Sequence, residues 1–176
     1  MVDMIPEEEE YLQADEGKIR VLDERMIREP ISMLQPVKPV CIEKDTSVAE
    51  AVRQMQEHHI GCVLVTERER LVGIFTERDV LSHVAGKKID VEAIPVEDLM
   101  TPNPETLSPS AGIVFALNKM SLGGFRHVPL VDDSHRPVGI ISVKDVVDYI
   151  VEFFSGQVLT IPPEPGLDVA KAPDGA

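Results

Sequence analysis

Apolar positions along this chain switch between a helical and an extended period, and each switch predicts an element. Val48, Ala51, Val52 and Met55 share one helical face behind Ser47 and Glu50, which stand in the order of a capping box. A helix is therefore expected over about residues 47 to 57. Ahead of it "PVCIE" is short and extended. After it "CVLVT" and "LVGIFT" are β-rich runs parted by the charged "ERER", the pattern of a hairpin-like pair or of two neighbouring strands. Thr76 then opens a second helix, which Gly86 is expected to end.

The same order returns further along. An offset of 65 pairs Leu34 with Leu99, Pro39 with Pro104, Val48 with Ile113, Ala51 with Ala116 and Met55 with Met120. One inserted residue shifts the offset to 66, which pairs Leu64 with Leu130, Gly73 with Gly139, Thr76 with Ser142 and Asp79 with Asp145. In the second copy Ser108 and Pro109 are expected to start the first helix as N-cap and first helical residue. "HVPLVD" and "PVGIIS" are the strands, and Ser142 opens a last helix that runs to about Phe154. Two copies of a unit this long read as a duplicated subdomain, β-α-β-β-α twice, rather than as an open array of short repeats.

Composition removes several functional classes. The 176 residues carry 31 acidic against 17 basic side chains, a net charge of −14, which repels phosphate backbones and supplies no basic stripe, so no nucleic-acid partner is expected. Cys41 and Cys62 lie in apolar runs without ligand-like spacing and read as small buried thiols. No apolar stretch approaches the roughly 20 residues of a membrane span. The beginning, "MVDMIPEEEEYLQAD", lacks the basic-then-apolar order of a signal peptide, so no membrane association and a cytoplasmic address are expected. No nucleophile and base pair, phosphate-cradling loop or zinc pattern stands out, and neither catalysis nor a resident cofactor or metal is expected.

The doubled motif "TERD" and "SVKD" is a hydroxyl, two variable positions and an aspartate. Such a motif can be only a helix cap, the hydroxyl accepting from an early backbone N–H. It can equally hold a ligand, because donors at a helix start suit a phosphate and an aspartate there can accept from both hydroxyls of a ribose. Gly73 and Gly139, in the preceding strands, allow close approach of a ligand or of a neighbouring backbone.

Element order, a unit of roughly 60 residues and the paired Gly-apolar-apolar-[Ser/Thr]-x-x-Asp motif resemble a tandem CBS-domain pair, or Bateman module, over about residues 31 to 154. "LMTPNPETLSPS" and "RHVPLVD" carry the same resemblance. It implies an α/β fold of the α+β kind, two CBS repeats packed with pseudo-two-fold symmetry. Residues 31–90 would be the first repeat and 91–156 the second, flanked by an acidic arm at 1–30 and a Pro-rich tail at 157–176. It further implies that Asp79 and Asp145 bind the ribose of an adenine nucleotide or adenosyl compound in clefts between the repeats, with Thr76 and Ser142 beside them and apolar strands around the base.

Around the second motif the resemblance assigns phosphate contacts to Arg126 and His127, ahead of Val128 and Pro129, where the first repeat has Ile60 and Gly61. Lys144 would add charge there, with Arg78 in the equivalent slot of the first motif. The Asp145 cleft is accordingly expected to be the tighter nucleotide site. Arg126 can also be a solvated charge and His127 a half-buried edge residue, while His58 and His59 suit the capping of helix carbonyls. The implied function is a regulatory module that senses adenine nucleotides (AMP, ADP, ATP) or S-adenosyl compounds as regulatory ligands and signals to an unknown downstream protein. Alternatives are a ligand-free dimerisation scaffold and a magnesium sensor. A two-fold homodimer is expected from the apolar stripes Val48, Val52, Met55 and Ile113, Leu117, Met120.

Overall fold

The computed structural model describes residues 28–158; the acidic arm up to residue 27 and the tail beyond 158 lie outside the described residues. A 3-10 turn, Ile31–Leu34, leads into β1 (Cys41–Glu43), α1 (Val48–Glu57), β2 (Cys62–Glu67), β3 (Arg70–Thr76) and α2 (Glu77–Asp79). A π-helical turn, Val80–Val84, continues α2. The second unit follows as β4 (Thr101–Pro102), α3 (Ile113–Gly123), β5 (His127–Val131), β6 (Pro137–Ser142) and α4 (Val143–Val158).

In the first unit β1 pairs parallel to β2, and β2 pairs antiparallel to β3. The turn between β2 and β3 holds Arg68 and Glu69 at φ 52 and 67, a left-handed pair that closes a tight hairpin without glycine. The second unit repeats the arrangement: β5 pairs antiparallel to β6, and a parallel bridge at Leu107 and Leu130 stands where β1 meets β2. Each unit then lends a segment to the other. β4, from the lead-in of the second unit, pairs with β3 through Gly73 and Pro102, and Val37, from the lead-in of the first, bridges to Ile140 of β6. Gly73 makes this close approach possible, since a Cβ there would run into the Met100 sulfur.

Two cores result, with a seam between them. Val48, Ala51, Met55, Val63, Val65, Phe75 and Val96 fill the first, and Ile113, Ala116, Met120, Val128, Leu130, Ile141 and Val146 the second. Cys62, Leu64, Leu71 and Ile74 pack against Val131 and Ile140 across the seam. Ile31 is fully buried in the second core, and its N–H donates to the Ala111 carbonyl at 2.8 Å.

Several expectations need correction. The stripe from Val48 to Met55 and its counterpart from Ile113 to Met120 are largely buried inside their own units, with Val52 and Leu117 left half-buried. Exposed apolar side chains lie elsewhere: Val143, Val147 and Val151 along α4, with Leu81, Phe115 and Leu122. Ser108 and Pro109 do not open α3. The Ser108 and Ser110 hydroxyls bond each other at 2.9 Å, and α3 starts after Gly112, with the Ile113 N–H donating to the Glu29 carbonyl at 2.9 Å. Cys62 is buried, but Cys41 is exposed, because the first position of β1 turns to the surface. Among the described residues no helix is long and apolar enough to cross a membrane.

Candidate functional site

The two motifs close the same local loop of hydrogen bonds. At the end of β3 the Thr76 N–H and hydroxyl donate to Asp79 Oδ2 at 2.8 and 2.7 Å, and the Asp79 N–H donates back to the hydroxyl at 3.3 Å. At the end of β6 the Ser142 N–H and hydroxyl donate to Asp145 Oδ2 at 2.6 and 2.9 Å, with the return bond again at 3.3 Å. The cap thus uses one oxygen of each carboxylate. Oδ1 of each accepts nothing among the described residues, and a single aspartate can cap a helix start and still present an acceptor outward.

Each aspartate lines a cleft built from both units. The Asp79 cleft, about 270 Å³, joins Thr76, Glu77, Arg78 and Asp79 to the second unit's lead-in, from Thr101 to Glu105, and to its helix-to-strand turn, Phe125, Arg126 and His127. The Asp145 cleft, about 310 Å³, joins Ser142 and Asp145 to the first unit's lead-in, from Val37 to Val40, and to its helix-to-strand turn, from His59 to Cys62. The lent strands explain this crossing: β4 carries the second lead-in onto β3, and the Val37 bridge carries the first onto β6.

That geometry redistributes the expected site residues. Arg126 lines the Asp79 cleft and not the Asp145 cleft, although its turn also touches its own motif, its carbonyl accepting from the Val143 N–H at 3.0 Å. His127 and Gly61 line both clefts; a Cβ on Gly61 would stand 3.7 Å from His127 Cε1 and 3.3 Å from Glu77 Oε2, so the two turns meet at this point. Ile60 lines the Asp145 cleft, where it replaces Arg126 at the equivalent position. Lys144 lines neither cleft and pairs with Asp148 one turn along α4. Val128 and Pro129 are buried behind the clefts, Val128 in the second core, and touch neither. Arg126, His127 and Lys144 do gather beside the second motif, in a wide groove shared with Ser142 and Val143, while of the three only His127 reaches into the Asp145 cleft itself.

Lys38, Asn103, Glu105 and Phe125 line the clefts without having been singled out in the sequence. The repeated lead-in prolines, Pro39 and Pro104, were the available signal, since duplication of these segments marked them as part of the unit. His59, read as a capping residue at the end of α1, lines the Asp145 cleft at φ 52. In the Asp79 cleft Arg78 donates to the Gly124 carbonyl at 3.1 Å, which ties the motif to the facing unit. Burial, and then the Arg126 charge, hold the His127 imidazole below its usual range, while Asp145 and Glu77 pull the other way. Burial pushes the Cys62 thiol up to about 12, so at the back of the Asp145 cleft it is a neutral wall and no nucleophile. Among the described residues no group of three or more His, Cys, Asp or Glu is placed to hold a metal ion.

A family model described as "CBS domain" matches residues 22–86 and 96–152. An Acidianus ambivalens protein described as an uncharacterized 17.7 kDa protein is 30% identical over 128 residues, which are 72% of this chain and 76% of that one. Among solved structures, the CBS domain pair of protein MJ0100, in complex with 5′-methylthioadenosine and S-adenosyl-L-methionine, is 27% identical. It superposes with a TM-score of 0.62, covering 69% of this chain and 98% of its own. The CBS domain protein PAE2072 from Pyrobaculum aerophilum, complexed with AMP, shares the fold at 24% identity and a TM-score of 0.63, over 72% of this chain and 98% of its own. Longer relatives match as well: this chain spans 29% of the Arabidopsis thaliana CBS domain-containing protein CBSCBSPB5, at 28% identity over 93% of this chain.

Proposed function

The chain belongs to the CBS-domain family, and from that premise we propose that it is a non-catalytic regulatory module that binds adenine nucleotides or related adenosyl compounds in the clefts at Asp79 and Asp145. One observation carries the reading. Each cleft sets a carboxylate with an unoccupied oxygen from one unit against the lead-in and turn of the other, so a ligand held there touches both units at once. A ribose presents two adjacent hydroxyls to that oxygen, and the apolar strand ends flank the base. The MJ0100 pair, solved with two adenosine derivatives, supports this ligand class.

Regulation follows from the crossing. A ligand that contacts both units favours whichever mutual arrangement it fits better, and it shifts the equilibrium by no more than that difference in affinity. The signal would pass to a second copy of the chain and to a downstream protein. The exposed Val147 and Val151 of α4, with Val143, Leu81, Val52 and Met55 along a wide groove of about 1010 Å³, offer apolar surface for a two-fold homodimer.

Calorimetric titration with AMP, ADP, ATP, S-adenosylmethionine and Mg²⁺ tests the reading, after absorbance has checked for co-purified nucleotide. Saturable binding of at least one adenosine compound is expected. Binding of none would leave a ligand-free scaffold, and binding of Mg²⁺ alone a magnesium sensor.

A further inference from the structure

We propose that the two clefts divide adenosine ligands by charge: the Asp79 cleft takes a phosphorylated nucleotide, and the Asp145 cleft takes an adenosine derivative without phosphate. This rests on the reading of both clefts as adenosine sites. Equivalent positions in the two clefts differ systematically in chemistry. Arg126 in the Asp79 cleft stands where the Asp145 cleft has Ile60, and Glu105 stands where it has Val40. Arg78 lines its cleft, whereas its counterpart Lys144 lines no part of the Asp145 cleft and is held by Asp148.

Two guanidiniums therefore face the Asp79 cleft. Planar guanidinium donors suit the oxygens of a phosphate, and Arg126 is exposed and makes no side-chain bond among the described residues. Of the three carboxylates in that lining, Asp79 is the ribose acceptor and Glu105 is paired with Lys119, so Glu77 alone opposes the guanidiniums. The Asp145 cleft is walled by Val37, Val40, Ile60, Leu64 and Ile140; it holds no guanidinium, and its nitrogen-bearing side chains are Lys38, His59 and His127. A phosphate placed among those side chains would lose hydration and find no bidentate guanidinium in return, whereas an uncharged thioether or alkyl substituent on the ribose would gain apolar contact.

The test is calorimetry on the full chain with two probes, AMP and 5′-methylthioadenosine. Arg126→Ile should weaken AMP binding at least tenfold and leave 5′-methylthioadenosine unchanged; Asp145→Asn should do the reverse. Ile60→Arg should weaken 5′-methylthioadenosine and create a second AMP site. Arg126 is exposed, so its substitution should not disturb folding, and a thermal melt of each variant confirms this. Unchanged AMP affinity in Arg126→Ile, or loss of AMP binding in Asp145→Asn, would overturn the division by charge while the adenosine reading stands. If the unmodified chain bound neither probe nor any other adenosine compound, both would fall together.

Discussion

Thr76 and Ser142 close nearly identical caps, with hydroxyl-to-carboxylate distances of 2.7 and 2.9 Å, yet α2 stops after three residues and α4 runs for 16. The cap fixes where a helix starts and in which direction. Its length is decided by what the following residues can bury, because helices this short gain most of their stability from packing. After Asp145, Val146 is fully buried, Tyr149 and Ile150 pack on the second core, and the Tyr149 hydroxyl donates to Glu29 at 2.7 Å. After Asp79, Val80 and Val84 touch the first core, but the chain widens into a π turn and leaves it at Gly86, at φ 74. Identical local chemistry thus serves a fixed carboxylate in both places, and the surroundings diverge.

The largest expected effects test whether the two units are separate bodies. Phe75 and Ile141 occupy equivalent positions, and each is fully buried in its own core. Truncation to Ala should cost about 3–5 kcal/mol at Phe75 and about 2–5 kcal/mol at Ile141. Because each unit lends a strand segment to the other, either substitution should lower one common unfolding transition. Two resolved transitions in urea, with only one moved by each substitution, would break the picture of interlocked units.

A smaller effect sharpens the contrast between the helices. Thr76→Ala and Ser142→Ala each remove a cap hydroxyl, at a cost of about 0.5–2 kcal/mol. Ser142→Ala should be the more costly, since a 16-residue helix and its contacts depend on that start, whereas the π turn after α2 is held partly by the Ala85 N–H bond to the Val80 carbonyl at 2.9 Å. Equal losses in chemical denaturation would mean that the two caps are energetically alike and that helix length plays no part.

What the sequence made legible was whatever one unit decides alone. The helix after Ser47, the hairpin across "ERER" and both aspartate motifs follow from short-range pattern, and each lies where the pattern placed it. The start of α3 was not legible, because its first N–H is satisfied by Glu29, more than 80 residues away, and the nearby Ser108 offered a plausible local substitute. The ownership of Arg126 was hidden for a related reason. Proximity along the chain assigns it to the second motif, beside which it does lie, while the lent strands also bring it into the Asp79 cleft. Duplication reveals which residues correspond, but it does not reveal that each site is assembled from non-corresponding halves.

The smallest expected effect concerns a point where the turns of the two units meet, with His127 on one side and Gly61 on the other. Of these two positions only the histidine can titrate, and Glu77 of the first unit stands beside it. Burial and Arg126 lower the folded-state pKa of His127 below the ordinary value of about 6.5, against the weaker pull of Asp145 and Glu77. As pH falls through about 6.5 the unfolded chain takes up the proton first, which favours unfolding. Stability contributed by neutral His127 is therefore fully present above that pH and declines below it. The decline stops once the pH has passed below the folded-state value, where both states are protonated. His127→Gln should flatten this part of the profile when thermal melts at pH 7.5 and 5.5 are compared, and the His127 ring-proton titration of the folded chain should show a midpoint below about 6.5. A midpoint above it would mean that the carboxylates of the two clefts outweigh burial, and the stability profile would then tilt the other way.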